Sequence, residues 1–326
     1  MATADVRERH ELLREGVEDV GAAEVVGRTP WQLFWVRFRR DRVALAALAF
    51  IVFLIVIAAL AGPITRAVAH PPNAQDPSAL DPNFGTPTGP SREFLFGVDK
   101  VGEDVFSRVL YGARVSLEVA FLATFLSVLI GVVLGMLAGF FRGWTDTVIS
   151  RVIDITLAFP ILLLALGIGS ACSLGNGCAG GAIRPGLPTV IVAIVVINWT
   201  YIGRIIRGQV LSIREKEFVE VVRAGGARNR TILFREILPN LVAPIVVYAT
   251  LVIPQNILLE AALSFLGVGI SPPQASWGEM IAEATPTFAS AWWFFVFPGA
   301  ALLLTVLAFN LLGDGVRDAL DPRTAQ

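Results

Sequence analysis

Residues 43–62 read VALAALAFIVFLIVIAALAG, a run of 20 residues without a charged side chain. At about 1.5 Å of rise per residue, a helix of this length matches a bilayer hydrocarbon core of about 30 Å. About forty mostly polar and charged residues precede the run, and a cleavable signal peptide does not carry such a segment ahead of its apolar region. The run therefore predicts a permanent membrane-spanning helix.

The rest of the chain has the composition of an integral membrane protein. Of its 326 residues, 55% are hydrophobic and 16% are charged, and the mean hydropathy is +0.67, whereas soluble domains carry about 25% charged residues. We predict an all-α polytopic membrane protein with six transmembrane helices. The five further uncharged runs are residues 119–141, 155–171, 185–203, 237–259 and 284–313.

The distribution of positive charge predicts how these helices are oriented. If the N-terminus lies inside, the inner segments hold 20 of the 26 Lys and Arg residues and the outer segments hold 6. Cytoplasmic flanks retain positive charge during insertion, so we expect both termini in the cytoplasm. The expected parts are a mobile cytoplasmic tail (1–28), an interfacial helix (29–42), the first span (43–62), an outer loop (63–114), spans two to six (115–313) with a cytoplasmic loop at 207–240, and a cytoplasmic C-terminus (314–326).

The sequence excludes several classes of function. A formal net charge of −1 argues against a nucleic-acid binder, which needs clustered positive charge. His10 and Glu11 begin an H-E-x-x-H zinc pattern, but Arg14 occupies the place of its second histidine, so that site cannot form. Neither Lys100 nor Lys216 lies in a phosphate-binding loop. We find no candidate catalytic, cofactor-binding or metal-ligating residue, and any ATP must be bound by another chain.

Glycines and polar side chains within the spans indicate close packing. Gly131, Gly135 and Gly139 are spaced by four, so they form one stripe that allows another helix to approach, from this chain or from a partner. The polar residues Asn198, Gln255 and Asn256 either line a transport pathway or form hydrogen bonds between helices.

Two charged residues and two cysteines complete the candidates. Asp154 and Glu260 lie too close to span ends to serve as a proton relay, which argues against a secondary transporter. Cys172 and Cys178 lie six positions apart in a glycine-rich loop that the charge count places outside, where disulfides persist. We expect them to be bridged, with two free thiols as the alternative.

The most informative segment lies between spans four and five, where residues 217–227 read EFVEVVRAGGA. Phe218, Val221 and Val222 recur at helical spacing and form a short apolar stripe. The glycine pair then ends the helix, and Pro239 fits the first turn of span five. The pattern predicts a short amphipathic helix that projects from the membrane. A helix resting on the bilayer surface is the alternative.

This segment resembles the EAA loop of ABC-importer permeases, in which E-A-A is followed after three residues by glycine and, further on, by L-P. Val221 and Val222 replace the two alanines, and Glu236 stands at a position that is usually apolar. In that family the loop forms the coupling helix that sits in a groove of the cytoplasmic ATPase, and the resemblance gives this role to Glu220, Val221, Val222, Gly226, Leu238 and Pro239.

Other stretches are similar to the C-type permease subunits of bacterial dipeptide and oligopeptide importers, in the peptide/nickel permease family. They are FGVDKVGED at 96–104, SRVLYGARVSL at 107–117, LSFLGVG at 263–269, SWG at 276–278 and DPR at 321–323. The resemblance covers about residues 35–323 and implies the type I ABC-importer permease fold.

The family's partners follow from the same resemblance. It implies a second six-span permease subunit, two ATPase subunits that hold ATP and Mg²⁺, an external substrate-binding protein and a peptide substrate, with transport by alternating access. Nickel import is the alternative within the family. A secondary transporter, a membrane enzyme or a scaffold would be alternatives from other classes.

Overall fold

The structure, a computed structural model, describes residues 30–173 and 177–320. Within these ranges the chain is helical and contains isolated bridges but no β-strand, which confirms the predicted all-α fold. The helices are α1 (Pro30–Phe38), α2 (Arg42–Ala59), α3 (Ala61–Val68), α4 (Val105–Phe141), α5 (Gly143–Ala158), α6 (Ile161–Ser173), α7 (Leu187–Ile213), α8 (Glu217–Ala224), α9 (Asn229–Phe265), α10 (Trp277–Ala284) and α11 (Trp292–Leu320).

Among the described residues, five helices are long and apolar enough to cross a bilayer, namely α2, α4, α7, α9 and α11. Helices α5 and α6 pass the same test only as a pair that is bent by 94°, and counting the pair as one span gives six crossings. Successive spans run in opposite directions. The first residues of α2, the helix α8 and the last turn of α11 therefore lie at one end of the bundle, called here the α8 end. Residues 69–104 and α10 lie at the other end, the α10 end.

The bend between α5 and α6 falls at Phe159 and Pro160. Proline has no N–H and disfavours helical geometry in the residue before it, and Phe159 is accordingly extended, with φ −84° and ψ 140°. The segment predicted as one span over 155–171 is occupied by two helices that meet at this bend, and the first of them begins at Gly143.

Several helices extend beyond their uncharged cores. Helix α4 begins at Val105 rather than at 119 because the Asp104 carboxylate caps it, accepting a hydrogen bond of 2.9 Å from the Phe106 N–H. Helix α7 continues to Ile213 and α11 to Leu320. Charged residues cost little at helix ends, so the uncharged runs mark the membrane-crossing cores and not the helix limits.

The ends of two predicted segments also change. The outer loop was expected over 63–114, but α3 and the first turns of α4 occupy part of it, which leaves 69–104 as the irregular stretch. The sixth span was expected to begin at residue 284, but Ala284 ends α10, a 3₁₀ turn follows at Thr285–Thr287, and the span begins at Trp292.

The glycine stripe of α4 packs against α7 of the same chain. A Cβ atom on Gly131 would lie 2.8 Å from Ile202, and one on Gly135 would lie 2.7 Å from the Gly203 carbonyl oxygen. Such distances are too short for any side chain, so the glycines allow the two helix backbones to approach closely. The stripe therefore joins two spans of one subunit, which settles the alternative that the sequence left open.

Helix α1 is shorter than the interfacial helix expected over 29–42. Its Phe38 is buried with Val316 and Ala319 of α11, while Trp31 and Trp35 are about half exposed. One aromatic side chain of α1 thus packs against the bundle, and two face away from it. The expected tail over 1–28, with residue 29, lies outside the described residues.

Candidate functional site

Helix α8 forms because its charges suit the helix dipole. Glu217 and Glu220 lie in its first turn and Arg223 in its last turn, the arrangement that stabilises a short helix. Its fully buried side chain is Val219, which lies in a cluster that includes Ile213 of α7 and Ile232 of α9. The helix is therefore anchored to the spans on both sides of it.

The apolar residues of α8 lie on two sides of the helix. Val219 and the half-buried Val222 face the bundle, whereas Phe218 is 38% exposed and Val221 is 71% exposed. Of the predicted stripe, Val222 therefore packs against the bundle, while Phe218 and Val221 stay exposed. The sequence did not show which side of α8 meets the protein, because eight residues make only about two turns.

The glycine pair ends α8 in a Schellman motif. The Ala227 N–H donates to the Val222 carbonyl at 3.3 Å and the Gly226 N–H to the Arg223 carbonyl at 3.0 Å, the bond pair that defines the motif. Gly226 has φ +80°, and no atom lies within 4 Å of where its Cβ would stand. Glycine is therefore required here for its backbone conformation and not for lack of space.

Pro239 lies in the first turn of regular α-helix that begins at Leu238, as predicted. Helical residues also precede Leu238. A short helical turn at Asn229–Thr231 and a π-helical turn at Ile232–Ile237 lead directly into this helix. The ring of a proline inside a helix crowds the carbonyl four residues earlier, and a wider π turn relieves that contact. Leu238 packs against the cluster that holds Val219.

Arginines connect the end of α7 to neighbouring helices. The Arg207 guanidinium donates to the Asp146 carboxylate of α5 at 2.8 Å. Arg214 donates to the backbone carbonyl of Phe140 at the end of α4. The α8 end is therefore cross-linked between the spans, and α8 is attached to a connected set of helices.

The polar residues predicted within the spans have different surroundings. The Asn198 side chain donates to Asn256, which in turn donates to the Thr124 hydroxyl at 2.8 Å. These two asparagines thus link α7, α9 and α4. Gln255 is exposed on α9, and among the three predicted residues it alone points fully out of the described chain.

Asp154 of α5 and Glu260 of α9 both have hydrogen-bond partners on other helices. Asp154 accepts a hydrogen bond of 2.6 Å from Arg204. Glu260 is fully buried and accepts hydrogen bonds of 2.9 Å from Ser116 and from Ser264. Asp154 therefore links α5 to α7, and Glu260 links α9 to α4 and bonds within its own helix.

A buried charge cluster at the α10 end was not predicted. Arg108 of α4 is 3% exposed and pairs with Asp99 and Glu103 of the outer stretch. It also pairs with Glu279 at 3.2 Å and Glu283 at 2.8 Å, both on α10. The cluster therefore fastens the irregular stretch and α10 to the start of α4.

The carboxylates of this cluster titrate differently. Burial raises the pKa of Glu279 to about 8, although the nearby Arg108 opposes the shift. Burial also acts on Glu283, but there Arg108 and Lys100 outweigh it and lower the pKa. Burial therefore favours the neutral form of Glu279, and the neighbouring cations favour the charged form of Glu283.

Cys172 and Cys178 form a disulfide, with their Cα atoms 4.6 Å apart. Cys172 lies near the end of α6, and Cys178 follows residues 174–176, which the structure does not describe. The bridge closes the connection between α6 and α7 at the α10 end of the bundle.

With this geometry established, the chain can be compared with known proteins. The family model of the binding-protein-dependent transport system inner membrane component matches residues 131–326. The chain belongs to this family. The model of the N-terminal TM domain of oligopeptide transport permease C also matches, over residues 29–85 of the permease. The family resemblance read from the coupling segment and the outer signatures is confirmed.

Relatives of the permease are transport proteins. The glutathione transport system permease protein GsiD of Escherichia coli O6:K15:H31 (strain 536 / UPEC) is 44% identical over 296 residues, which is 91% of each chain. GsiD of Shigella flexneri serotype 5b (strain 8401) is 45% identical over the same length and coverage. The chain is therefore a multi-pass permease of the inner membrane, and these relatives are permease subunits of transport systems.

Solved structures show the same fold. An inward-facing MetNI methionine ABC transporter chain matches with a TM-score of 0.53 and 20% identity, covering 66% of the permease and 96% of that chain. A second crystal form of MetNI matches with a TM-score of 0.52 and 19% identity, covering 65% and 96%. The predicted fold of an ABC-importer permease is confirmed.

Proposed function

We propose that this permease is the pathway-forming subunit of an ATP-driven importer of small peptides, and that separate ATPases drive it through α8. The observation that carries the proposal is the division of α8: Val219 holds the helix to the bundle, while Phe218 and Val221 remain exposed on its other side. An exposed apolar pair on an anchored, sharply ended helix has the form of a docking element.

The α8 end lies in the cytoplasm in this proposal. Support comes from the charge distribution, because 20 of the 26 Lys and Arg residues fall in segments at that end or in the adjoining termini. Cytoplasmic ATPases can then reach α8. The α10 end, with its clamped outer stretch, faces the external substrate-binding protein.

The partners are a second six-span permease subunit, two ATPase subunits and the binding protein. ATP and Mg²⁺ belong to the ATPases, and this chain contributes no chemical step to hydrolysis. When the ATPases close, α8 moves with them. Because Val219 contacts residues of both α7 and α9, the movement reaches two spans at once and switches the side to which the pathway opens.

The substrate class comes from the relatives. GsiD is a glutathione transport system permease protein, and glutathione is a small anionic peptide. We propose a substrate of this kind for the permease, taken from the binding protein and passed along the exposed face of α9, where Gln255 lies.

Docking at α8 is tested by Val221→Asp in the purified complex. Val221 makes little contact with its own chain, so the permease should fold normally while the charge weakens ATPase docking. Phe84→Asp is the matched control, because Phe84 is 82% exposed at the opposite end of the bundle. We expect Val221→Asp to retain several-fold less ATPase on an affinity column and Phe84→Asp to retain a normal amount. If the two variants retain equal amounts of ATPase, α8 is not the site at which the ATPases dock.

A further inference from the structure

One face of α9 is partly or fully exposed along its length. Pro244, Tyr248, Leu251, Gln255 and Leu258 recur at spacings of three and four, which places them on one side of the helix. Gln255 and Leu258 are exposed, and Tyr248 and Leu251 are partly exposed. An open glutamine within a span costs free energy against lipid, so this face meets water or protein.

A cavity of about 480 Å³ lies on this face near the α8 end. It is bounded by α7, α9 and α11, so three spans contribute to its wall. Its lining includes the apolar residues Pro244, Val247 and Leu251 and the polar residues Gln209, Tyr248 and Arg317.

Among the described residues, the polar side chains of the cavity have no partner. Arg317 forms no ion pair, and Gln209 and Tyr248 form no side-chain hydrogen bond, with any residue that the structure describes. Elsewhere at this end Arg204 and Arg207 are paired with carboxylates. Arg317 is therefore an available cation beside two available hydrogen-bond donors.

We propose that this cavity is an anion-binding station at the inner end of the pathway, which takes a carboxylate of the peptide substrate. The inference rests on the proposed function. The planar guanidinium of Arg317 matches a carboxylate with two parallel hydrogen bonds. Gln209 and Tyr248 supply further donors, while Val247 and Leu251 contact the carbon atoms of the peptide.

A phospholipid headgroup offers the same negative charge, so the experiment separates the two sources. The nucleotide-free complex is placed in nanodiscs of neutral phosphatidylcholine or with added phosphatidylglycerol. Val247→Cys reports occupancy through its rate of maleimide alkylation, and the native cysteines are bridged. The probes are S-methylglutathione and its diamide, which lacks negative charge.

We expect S-methylglutathione to slow alkylation of Val247→Cys several-fold in neutral nanodiscs, and the diamide to have little effect. Arg317→Gln should abolish the protection, and Arg317→Lys should keep part of it. Uptake of glutathione into proteoliposomes should fall about tenfold in Arg317→Gln, as expected for a lost charged hydrogen bond. The control Arg40→Gln, an exposed arginine outside the cavity, should transport normally.

Equal protection by the diamide, or protection that survives Arg317→Gln, would overturn the anion station. Protection by phosphatidylglycerol alone, with no effect of peptide, would place a lipid headgroup in the cavity and would also overturn it. If the wild-type complex transports glutathione but shows no protection, only this inference fails. If it takes up no peptide at all, the proposed function fails first.

Discussion

Replacing Gly226 by alanine should weaken the packing of α8 against the helix bundle. The residue has φ +80°, and a side chain in this left-handed region costs about 1–2 kcal/mol. The main anchor of α8 is Val219, whose full burial contributes about 1.5–3 kcal/mol. The backbone strain at residue 226 is therefore comparable to the free energy gained by burying Val219. The fraction of molecules in which α8 is detached from the bundle should rise about 5- to 30-fold.

Two variants serve as controls for this change. Gly225 has φ −68°, and a Cβ there would lie in ordinary contact, 3.4 Å from the Val222 carbonyl, so Gly225→Ala should behave as wild type. Gly226→Asn should recover much of the function, because asparagine is enriched among residues with positive φ.

The assay combines ATPase retained per permease with amide exchange over residues 217–240. For Gly226→Ala we expect faster exchange and a parallel loss of retained ATPase and of peptide uptake, with normal membrane levels. The reasoning would be refuted if Gly226→Ala and Gly225→Ala gave the same exchange and the same retention.

Three further predictions concern other parts of the bundle. Gly135→Val should prevent accumulation of folded permease, because its Cβ would lie 2.7 Å from a backbone oxygen of α7, whereas Gly208→Ala, with open space around it, should accumulate normally; membrane yield measures both. Glu279 binds its proton more tightly in the folded state, so the stability of the wild type should fall as the pH rises from about 4.5 through 8. The unfolding temperature of Glu279→Gln should lack that fall, and the same dependence on pH in both proteins would contradict the prediction. Under non-reducing conditions, mass spectrometry of native protein should find the peptides of Cys172 and Cys178 joined and unalkylated, and two alkylated thiols would reject the bridge.

The five long apolar spans and the helix-ending glycines were readable from the sequence because both depend on local properties. Uncharged runs report the crossing cores, and the pair Gly225 and Gly226 predicts a helix end at the observed place. Which side of α8 meets the bundle was not readable. The burial of Val219 depends on Ile232 and Ile213, which reach it only once α7 and α9 pack together.

The charge cluster around Arg108 escaped prediction for a similar reason. Asp99 and Glu103 lie within nine residues of it, but Glu279 and Glu283 lie 171 and 175 residues away. No local pattern indicates that a charged residue at the start of a span will be fully buried among them. The same holds for Asn198 and Asn256, whose hydrogen bond joins helices 58 residues apart in sequence.

The central claim is that the ATPases dock on the side of α8 that faces away from the bundle. Thiol protection tests it most directly. Val221→Cys should be labelled rapidly by maleimide in the permease stripped of ATPases and slowly in the complete complex, because its exposed side chain becomes covered. Phe84→Cys should be labelled equally in both. If Val221→Cys is labelled at the same rate with and without the ATPases, the docking surface lies elsewhere and the account is contradicted.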